Sequence, residues 1–122
     1  MIILDTNVFI YLANGMLYRN VIAEKDVSHA SITKVEALGF SSIPVNELLL
    51  LEALFDESYV LPLTDSIIDR AIRLRQAKRM SLGDSIIAAT ALANSLTLWT
   101  ANTRDFAHIQ GLNVFNPLTK AV

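Results

Sequence analysis

The chain has 122 residues, of which 52% are hydrophobic and 18% charged, and its formal net charge is −2. This length fits one domain with a single core and excludes two, and the absence of cysteine excludes disulfides and thiolate metal sites. The apolar runs stay below the roughly 18 to 20 residues that a membrane span needs, and the start lacks the basic region of a secretory signal. We therefore expect one cytoplasmic domain over residues 1–122, with no membrane partner.

Short apolar runs alternate with helical patterns along the chain. The predicted strands are Ile2 to Leu4, Ser28 to Ile32, Tyr59 to Leu61, Thr97 to Thr100 and Asn113 to Phe115. Helical patterns fill every gap between them but the last. This order predicts a three-layer α/β/α fold with a central parallel sheet of about five strands.

The helices are predicted from apolar periodicity and from residues that usually start or end a helix. In chain order they are one from Thr6 or Asn7 to Asn14 and Gly15, one continuing to about Lys25, one beginning near Thr33, one with Pro44 in its first turn, and two over Asp65 to Met80 and Asp84 to Ser95. Two helices in each long connection place helices on both faces of the sheet.

Four carboxylates fall where these predicted elements meet. They are Asp5, Glu36, Asp84 and Asp105. Three of them closely follow the carboxyl end of a predicted strand, while Asp84 opens the helix before the fourth strand and its side chain points back toward the helix start. Open α/β sheets bind their ligands at this edge. We therefore expect all four acids at one edge of the sheet.

Each acid also has a purely structural interpretation. The spacing of a helix capping box occurs in three pairs, Thr33 with Glu36, Ser81 with Asp84, and Asn102 with Asp105. Asp5 is a residue type that often forms turns. The predicted meeting of four acids at one edge is what favours a functional interpretation over helix capping.

Four carboxylates at one edge would repel one another strongly. At about 5 Å and an effective dielectric constant near 20, each pair of like charges costs about 3 kcal/mol. Protonation, separation or a divalent cation among the acids would relieve this repulsion. A donor set of oxygens alone favours Mg²⁺ or Mn²⁺ over Zn²⁺. The two histidines, His29 and His108, lack metal-ligand spacing and are expected to be surface or packing residues.

Four sequence motifs carry a resemblance to a known family. They are Ile2-Ile3-Leu4-Asp5-Thr6-Asn7, then Ser31-Ile32-Thr33 followed by Glu36, then Gly83-Asp84-Ser85-Ile86-Ile87-Ala88-Ala89-Thr90-Ala91, and finally Thr100, Asn102, Asp105 and Phe106. In order, spacing and total length the chain resembles PIN-domain ribonucleases, and among them the VapC-type toxins of prokaryotic toxin–antitoxin pairs. The resemblance covers essentially the whole chain.

The resemblance implies an activity and a set of site residues. Asp5, Glu36 and Asp84 would hold Mg²⁺ or Mn²⁺, Asp105 would be the fourth acid, and RNA phosphodiester bonds would be hydrolysed by a metal-activated water. The residues that resemble the family's positioning residues are Thr6, Asn7, Thr100 and Asn102. The rival acids, Glu47 and Glu52, lie on a leucine-rich helix away from the predicted edge, so Glu36 is preferred.

The net charge argues against a nucleic-acid partner only while the four acids are included. Without them, ten basic residues stand against eight acidic ones, a balance of +2. Five basic residues crowd before Asp84, namely Arg70, Arg73, Arg75, Lys78 and Arg79. They are predicted to line an RNA path, with Arg75, Lys78 and Arg79 positioning the substrate. The alternative is a solvated helix face, in which Asp69 supports Arg73 four residues later.

The leucine-rich helix, with Leu48 to Leu51, Leu54 and Phe55, has two interpretations, part core and part dimer seam. The resemblance implies a homodimer and a small antitoxin that covers further apolar surface. The favoured hypothesis is a VapC-like endoribonuclease toxin. The alternatives are a PIN nuclease of ordinary RNA processing and a non-catalytic binding module whose acids only cap helices. An aspartate-nucleophile phosphatase is set aside because it needs a second Asp where this chain has Asn7.

Overall fold

A parallel sheet forms the centre of the computed structural model, which describes residues 1–119. Within that range its five strands are β1 (Ile2–Leu4), β2 (Val27–Ala30), β3 (Tyr59–Leu61), β4 (Thr97–Trp99) and β5 (Val114–Phe115). Their spatial order is β3-β2-β1-β4-β5, and each neighbouring pair is parallel. The predicted parallel sheet is confirmed.

The described residues also form five α-helices and two short 3₁₀ turns. These are α1 (Thr6–Asn14), α2 (Ser31–Leu38), α3 (Val45–Asp56), α4 (Asp65–Ala77) and α5 (Leu82–Ala93), with the 3₁₀ turns at Arg19–Ile22 and Thr103–Phe106. Gly15 ends α1 in the left-handed conformation at φ 87°, which side chains disfavour. Thr64 and Ser81 cap α4 and α5 with hydroxyls that accept backbone hydrogen bonds of 3.2 and 3.1 Å. In this part of the chain no helix has the length and hydropathy needed to cross a membrane.

Helices cover both faces of the sheet, because alternate residues of each strand point to opposite sides. Leu4 of β1 packs in a buried cluster with Phe9 of α1 and Phe55 of α3. Its neighbour Ile3 packs on the other face with Ile87 of α5. Helix α4 lies against α5, so the predicted three-layer α/β/α architecture is confirmed.

The order of the strands reverses at β1, the central strand. The chain runs outward from β1 through β2 to β3 and then returns to the opposite side of β1 as β4. In open parallel sheets, the crevice at the carboxyl ends of the two strands beside such a reversal is the usual ligand site. Asp5 follows β1 and Thr100 follows β4 at that place. The topology therefore selects the sheet edge at which the sequence places its acids.

Two predicted elements before α3 are wrong in detail. The helix expected to reach Lys25 is only the 3₁₀ turn Arg19–Ile22, because the short segment after Gly15 must bring the chain back to β2. The second strand was predicted to end at Ile32, but β2 ends at Ala30. Ile32 lies in the first turn of α2 and packs against the core from there, so its apolar character does not indicate a strand.

Helix α4 ends at Ala77 instead of Met80, because Lys78 is extended and carries the chain to the cap at Ser81. The last helix begins at Leu82, two residues before the predicted start at Asp84. The other predicted boundaries differ from the observed ones by a residue or two. These shifts arise at connections, where packing between elements decides the end of a helix and local periodicity does not.

Candidate active site

Asp5 leaves the central strand as the N-cap of α1, and the residue is only 5% exposed. Its Oδ1 accepts a 2.8 Å hydrogen bond from the backbone N–H of Thr6. Its Oδ2 accepts bonds of 2.7 Å from the Thr100 hydroxyl and 3.2 Å from Asn7 Nδ2. Burial outweighs these bonds and, together with the charge of Glu36, raises the pKa of Asp5. Asp5 thus caps a helix and also brings a costly buried charge to the sheet edge.

Asn7 and Thr100 tie the ends of β1 and β4 together. Asn7 Oδ1 accepts a 3.2 Å hydrogen bond from the backbone N–H of Ala101. Thr100 Oγ1 accepts one of 3.0 Å from the backbone N–H of Asn102 while it donates to Asp5. Asn102 itself is exposed and joins this network through its backbone N–H. With Thr6, which also bonds Asp5, all four predicted positioning residues form one hydrogen-bonded network around Asp5.

Glu36 reaches the same edge from the second turn of α2, not from the first turn as predicted. The Thr6 hydroxyl donates a 2.7 Å hydrogen bond to its Oε1. On the other side, α5 approaches the carboxylate at Gly83, where an added Cβ would overlap Oε2 and lie 3.1 Å from Cδ. Glu36 therefore lies between the first turns of α1 and α5, and the lack of a side chain at Gly83 leaves the room for it.

The capping-box interpretation is wrong for two of the acids. Helix α2 follows Ala30, which makes no side-chain cap, so Thr33 and Glu36 both lie inside the helix. Thr33 Oγ1 is the one buried side-chain polar atom in residues 1–119 that lacks a hydrogen-bond partner. Asp105 lies in a 3₁₀ turn whose N-cap, Asn102, makes no side-chain bond either. Capping is seen at Ser81, which accepts from the Asp84 N–H.

Asp84 lies in the first turn of α5, partly buried, and its pKa reports the charges around it. Burial, followed by the charges of Asp5, Asp105 and Glu36, raises the pKa of Asp84 to about 6. All three of the other predicted acids thus lie near enough to Asp84 to repel its charge. Elements far apart in the chain bring the four acids to one edge of the sheet.

The same four acids are the predicted metal ligands. Within residues 1–119, no three His, Asp or Glu side chains are arranged closely enough to hold one ion between them. Their donor atoms nevertheless fit a hard divalent cation, because all are carboxylate oxygens. A cation would also relieve the repulsion that contributes to the raised pKa values of Asp5 and Asp84. Metal ligation by these four residues stays a prediction.

A cleft of about 340 Å³ opens beside Asp84 and Asp105. Its other lining residues are Lys78, Arg79, Met80, Ser81, Arg104 and His108. Arg75, which was also predicted to position the substrate, does not line the cleft, and its Nε donates a 3.3 Å hydrogen bond to the Met80 carbonyl. Arg104 and His108 were not among the predicted substrate-positioning residues. Their only signal in the sequence is their closeness to Asp105. His108 is exposed, as expected of a surface residue.

The rival acids lie on α3. Glu47 lines an apolar groove of about 330 Å³ between α1, α2 and α3, and Glu52 is exposed. Neither is among the charges that raise the pKa of Asp5 or Asp84. The preference for Glu36 over these two acids as a metal ligand stays a prediction.

An α/β/α domain with four acids at the reversal point of a parallel sheet is typical of hydrolytic nucleases. The sequence model of the PIN domain matches residues 2–112. The chain therefore belongs to the PIN domain family.

Several solved structures share this fold over nearly their full length. A chain of the toxin–antitoxin complex from Klebsiella pneumoniae is 28% identical with a TM-score of 0.76, over 96% of this chain and 98% of that one. The corresponding values for VapBC-1 from nontypeable Haemophilus influenzae are 25%, 0.78, 98% and 100%. For DNA-bound VapBC from Salmonella typhimurium they are 22%, 0.80, 96% and 99%, which shows the fold alone. No curated protein matches the sequence. The predicted resemblance to VapC-type PIN domains is confirmed.

Proposed function

We propose that this chain is the toxin of a VapBC-type toxin–antitoxin pair, and that it is an endoribonuclease that uses Mg²⁺ or Mn²⁺. The observation that carries the proposal is the meeting of four carboxylates around Asp84, whose pKa is raised by burial and then by the charges of the three other acids. Membership of the PIN domain family and the likeness to toxin–antitoxin structures support it.

The proposed metal ligands are Asp5, Glu36, Asp84 and Asp105. A divalent ion bound there would supply positive charge that lowers the pKa of a water and neutralises the departing oxygen. The neighbouring side chains hold the acids in place for this task. The Thr6 hydroxyl orients Glu36, and the Thr100 hydroxyl and the Asn7 amide orient Asp5. Because these donors come from the structured ends of α1 and β4, the site needs little ordering when substrate binds.

Cleavage of RNA by the purified protein tests the activity. We expect cleavage with Mg²⁺ or Mn²⁺ and none with excess chelator, so activity that persists in chelator would contradict the metal mechanism. Asp5→Asn should abolish cleavage. Glu47→Gln removes an acid of α3 that does not act on Asp5 or Asp84, and this control should cleave like the wild type. Equal losses in both variants would contradict the assignment of the site.

Partners are proposed from the apolar surface around α3. Leu51 is buried in the core, whereas Leu49 and Phe40 are 59% and 62% exposed. Exposed apolar surface of this kind, beside the groove between α1, α2 and α3, is typical of protein interfaces. A second copy of this chain and a small antitoxin are the proposed occupants. Light scattering measures the dimer, and the protein encoded by the neighbouring gene should suppress RNA cleavage when mixed in stoichiometric amounts.

Expression in cells separates a toxin from a nuclease of ordinary RNA processing. Wild-type protein should arrest growth, Asp5→Asn should not, and co-expression of the neighbouring gene should restore growth. Cleavage in vitro without growth arrest would favour RNA processing. A non-catalytic module instead predicts that Asp5→Asn changes neither divalent-ion binding nor RNA cleavage.

A further inference from the structure

We infer that the cleft beside Asp84 and Asp105 binds the sugar–phosphate backbone of the RNA next to the cleaved bond. Its basic lining residues come from two segments of the chain, Lys78 and Arg79 from one, and Arg104 with His108 from the other. The inference rests on the proposed function, because the acids at the cleft are those proposed to carry out the hydrolysis. It adds Arg104 and His108, from the 3₁₀ turn after β4 and the residues that follow it, to the substrate-binding residues.

The cleft joins two segments that are distant in sequence. One is the connection between α4 and α5, and the other is the segment that follows β4. Each segment carries one of the acids close to its cations, Asp84 after Lys78 and Arg79, and Asp105 beside Arg104. A strand that reaches the acids through this volume of about 340 Å³ therefore meets cations from both segments.

The cations of the cleft are available to a ligand. Lys78, Arg79 and Arg104 are exposed. Within residues 1–119, the one ion pair joins Arg19 to Glu57, so no carboxylate there forms an ion pair with the cleft cations. Three positive charges thus line a cleft whose two carboxylates are proposed catalytic acids. A phosphate backbone is the ligand class that matches a row of cations leading to a hydrolytic site.

The connection that carries Lys78 and Arg79 is held next to Asp84 by two hydrogen bonds. Arg75 Nε donates a 3.3 Å hydrogen bond to the Met80 carbonyl and so holds the connection against α4. One residue later, Ser81 caps α5 and accepts a 3.1 Å hydrogen bond from the Asp84 N–H. The backbone that carries Lys78 and Arg79 is therefore placed relative to Asp84 before RNA arrives, which reduces the entropy lost on binding.

The apolar groove between α1, α2 and α3 does not suit RNA. The groove of about 330 Å³ between α1, α2 and α3 has Glu47 as its one charged lining residue and no cation. A polyanion would lose hydration there without gaining an opposite charge. Arg19 and Lys25, which precede β2, are exposed and do not line the cleft, so they provide a control for the overall charge of the protein.

The test measures RNA cleavage by the full-length protein as a function of KCl concentration, with a mixed-sequence single-stranded RNA pool. The double variant Lys78→Gln with Arg104→Gln removes one charge from each of the two segments, and Arg19→Gln with Lys25→Gln removes the same charge elsewhere. Each phosphate contact contributes about 0.7 to the slope of log affinity against log salt for single strands, so the cleft variant should lose about 1.4. We expect a raised KM, a smaller change in kcat, and an unchanged slope in the control.

Two results would overturn the inference. Equal losses of slope in both double variants would assign the salt dependence to overall charge. A lower kcat with an unchanged slope would assign Lys78 and Arg104 to the support of the acids. Binding of the fluorescent RNA pool to Asp5→Asn protein in chelator, with and without the cleft substitutions, tests the cleft without cleavage. Wild-type protein that binds RNA through the cleft and cleaves none would contradict the proposed function and leave the inference standing.

Discussion

The hydroxyl of Thr100 donates a 2.7 Å hydrogen bond to Oδ2 of Asp5, across 95 positions of the chain. The two residues meet because β1 and β4 are parallel neighbours, with Leu4 opposite Trp99 in register. Both are nearly inaccessible to solvent, so water cannot replace the bond without entering the core. The geometry of the first acid of the site therefore depends on a residue near the other end of the chain.

Replacing Thr100 by valine should weaken both the site and the fold. Valine keeps the shape of threonine but removes the donor, and the loss of a hydrogen bond to a charged group costs about 1.5 to 3 kcal/mol. We expect the free energy of unfolding to fall by this amount in denaturant titrations, and RNA cleavage to fall with it. Thr100→Ser keeps the hydroxyl and should retain most of both. Wild-type cleavage by Thr100→Val would show that the bond is not needed.

Gly83→Ala should separate activity from stability. The new methyl group would overlap the Glu36 carboxylate and force it to move. Alanine is also about 1 kcal/mol more favourable than glycine within a helix, so the fold should not suffer. We expect a loss of RNA cleavage without a lower melting temperature. Leu82→Ala changes an exposed neighbour in the same turn and should keep its activity. Full activity of Gly83→Ala would argue against a role of Glu36 at this position.

Asp84→Asn should abolish cleavage and raise the melting temperature of the metal-free protein. Burial and three neighbouring charges raise the pKa of Asp84, which shows that its charged form is unfavourable in the fold. A smaller opposite effect, about 0.3 to 1 kcal/mol, comes from losing a negative charge at the start of α5. Thermal melting in chelator measures the difference. Mg²⁺ should stabilise the wild type and not the variant, and a melting temperature lower by many degrees would indicate a structural acid.

His29 should make the stability depend on pH. It is buried beside the rings of Phe9 and Phe55, with Nδ1 2.7 Å from Ser58 Oγ, and burial followed by the charge of Lys34 lowers its pKa to about 4. Because the unfolded chain binds the proton more readily, this contribution to stability is present above about pH 6.5 and is lost as the pH falls toward about 4. The full difference amounts to about 3 kcal/mol.

The variant His29→Asn isolates this effect, since the raised pKa values of Asp5 and Asp84 act in the opposite sense over an overlapping range. Denaturant titrations from pH 7 to pH 4 should show a steeper loss of unfolding free energy in the wild type than in the variant. Parallel pH curves for the two proteins would mean that His29 does not titrate between the folded and unfolded states as expected.

Local sequence patterns predict much of the fold. The apolar run Ile2–Leu4 and the run Tyr59–Leu61 have the bounds of β1 and β3, and Gly15 ends α1 as expected, because these features depend on residues adjacent in the chain. The same reasoning fails between Gly15 and β2, where no periodicity separates a helix from the 3₁₀ turn. The apolar character of Ile32 predicted a strand, but an apolar side chain packs on the core equally well from a helix.

The sequence alone also predicts the four acids as site residues, because three of them closely follow predicted strands and the fourth opens a predicted helix. The tertiary structure decides which distant groups share a space. It brings Gly83 against Glu36, places Arg104 and Lys78 in one cleft, and pairs Arg75 with the Met80 carbonyl. Such contacts depend on strand order and helix packing, which join segments far apart in the chain. The raised pKa of Asp84 depends on the same packing, because its burial and its neighbouring charges exist only in the folded protein.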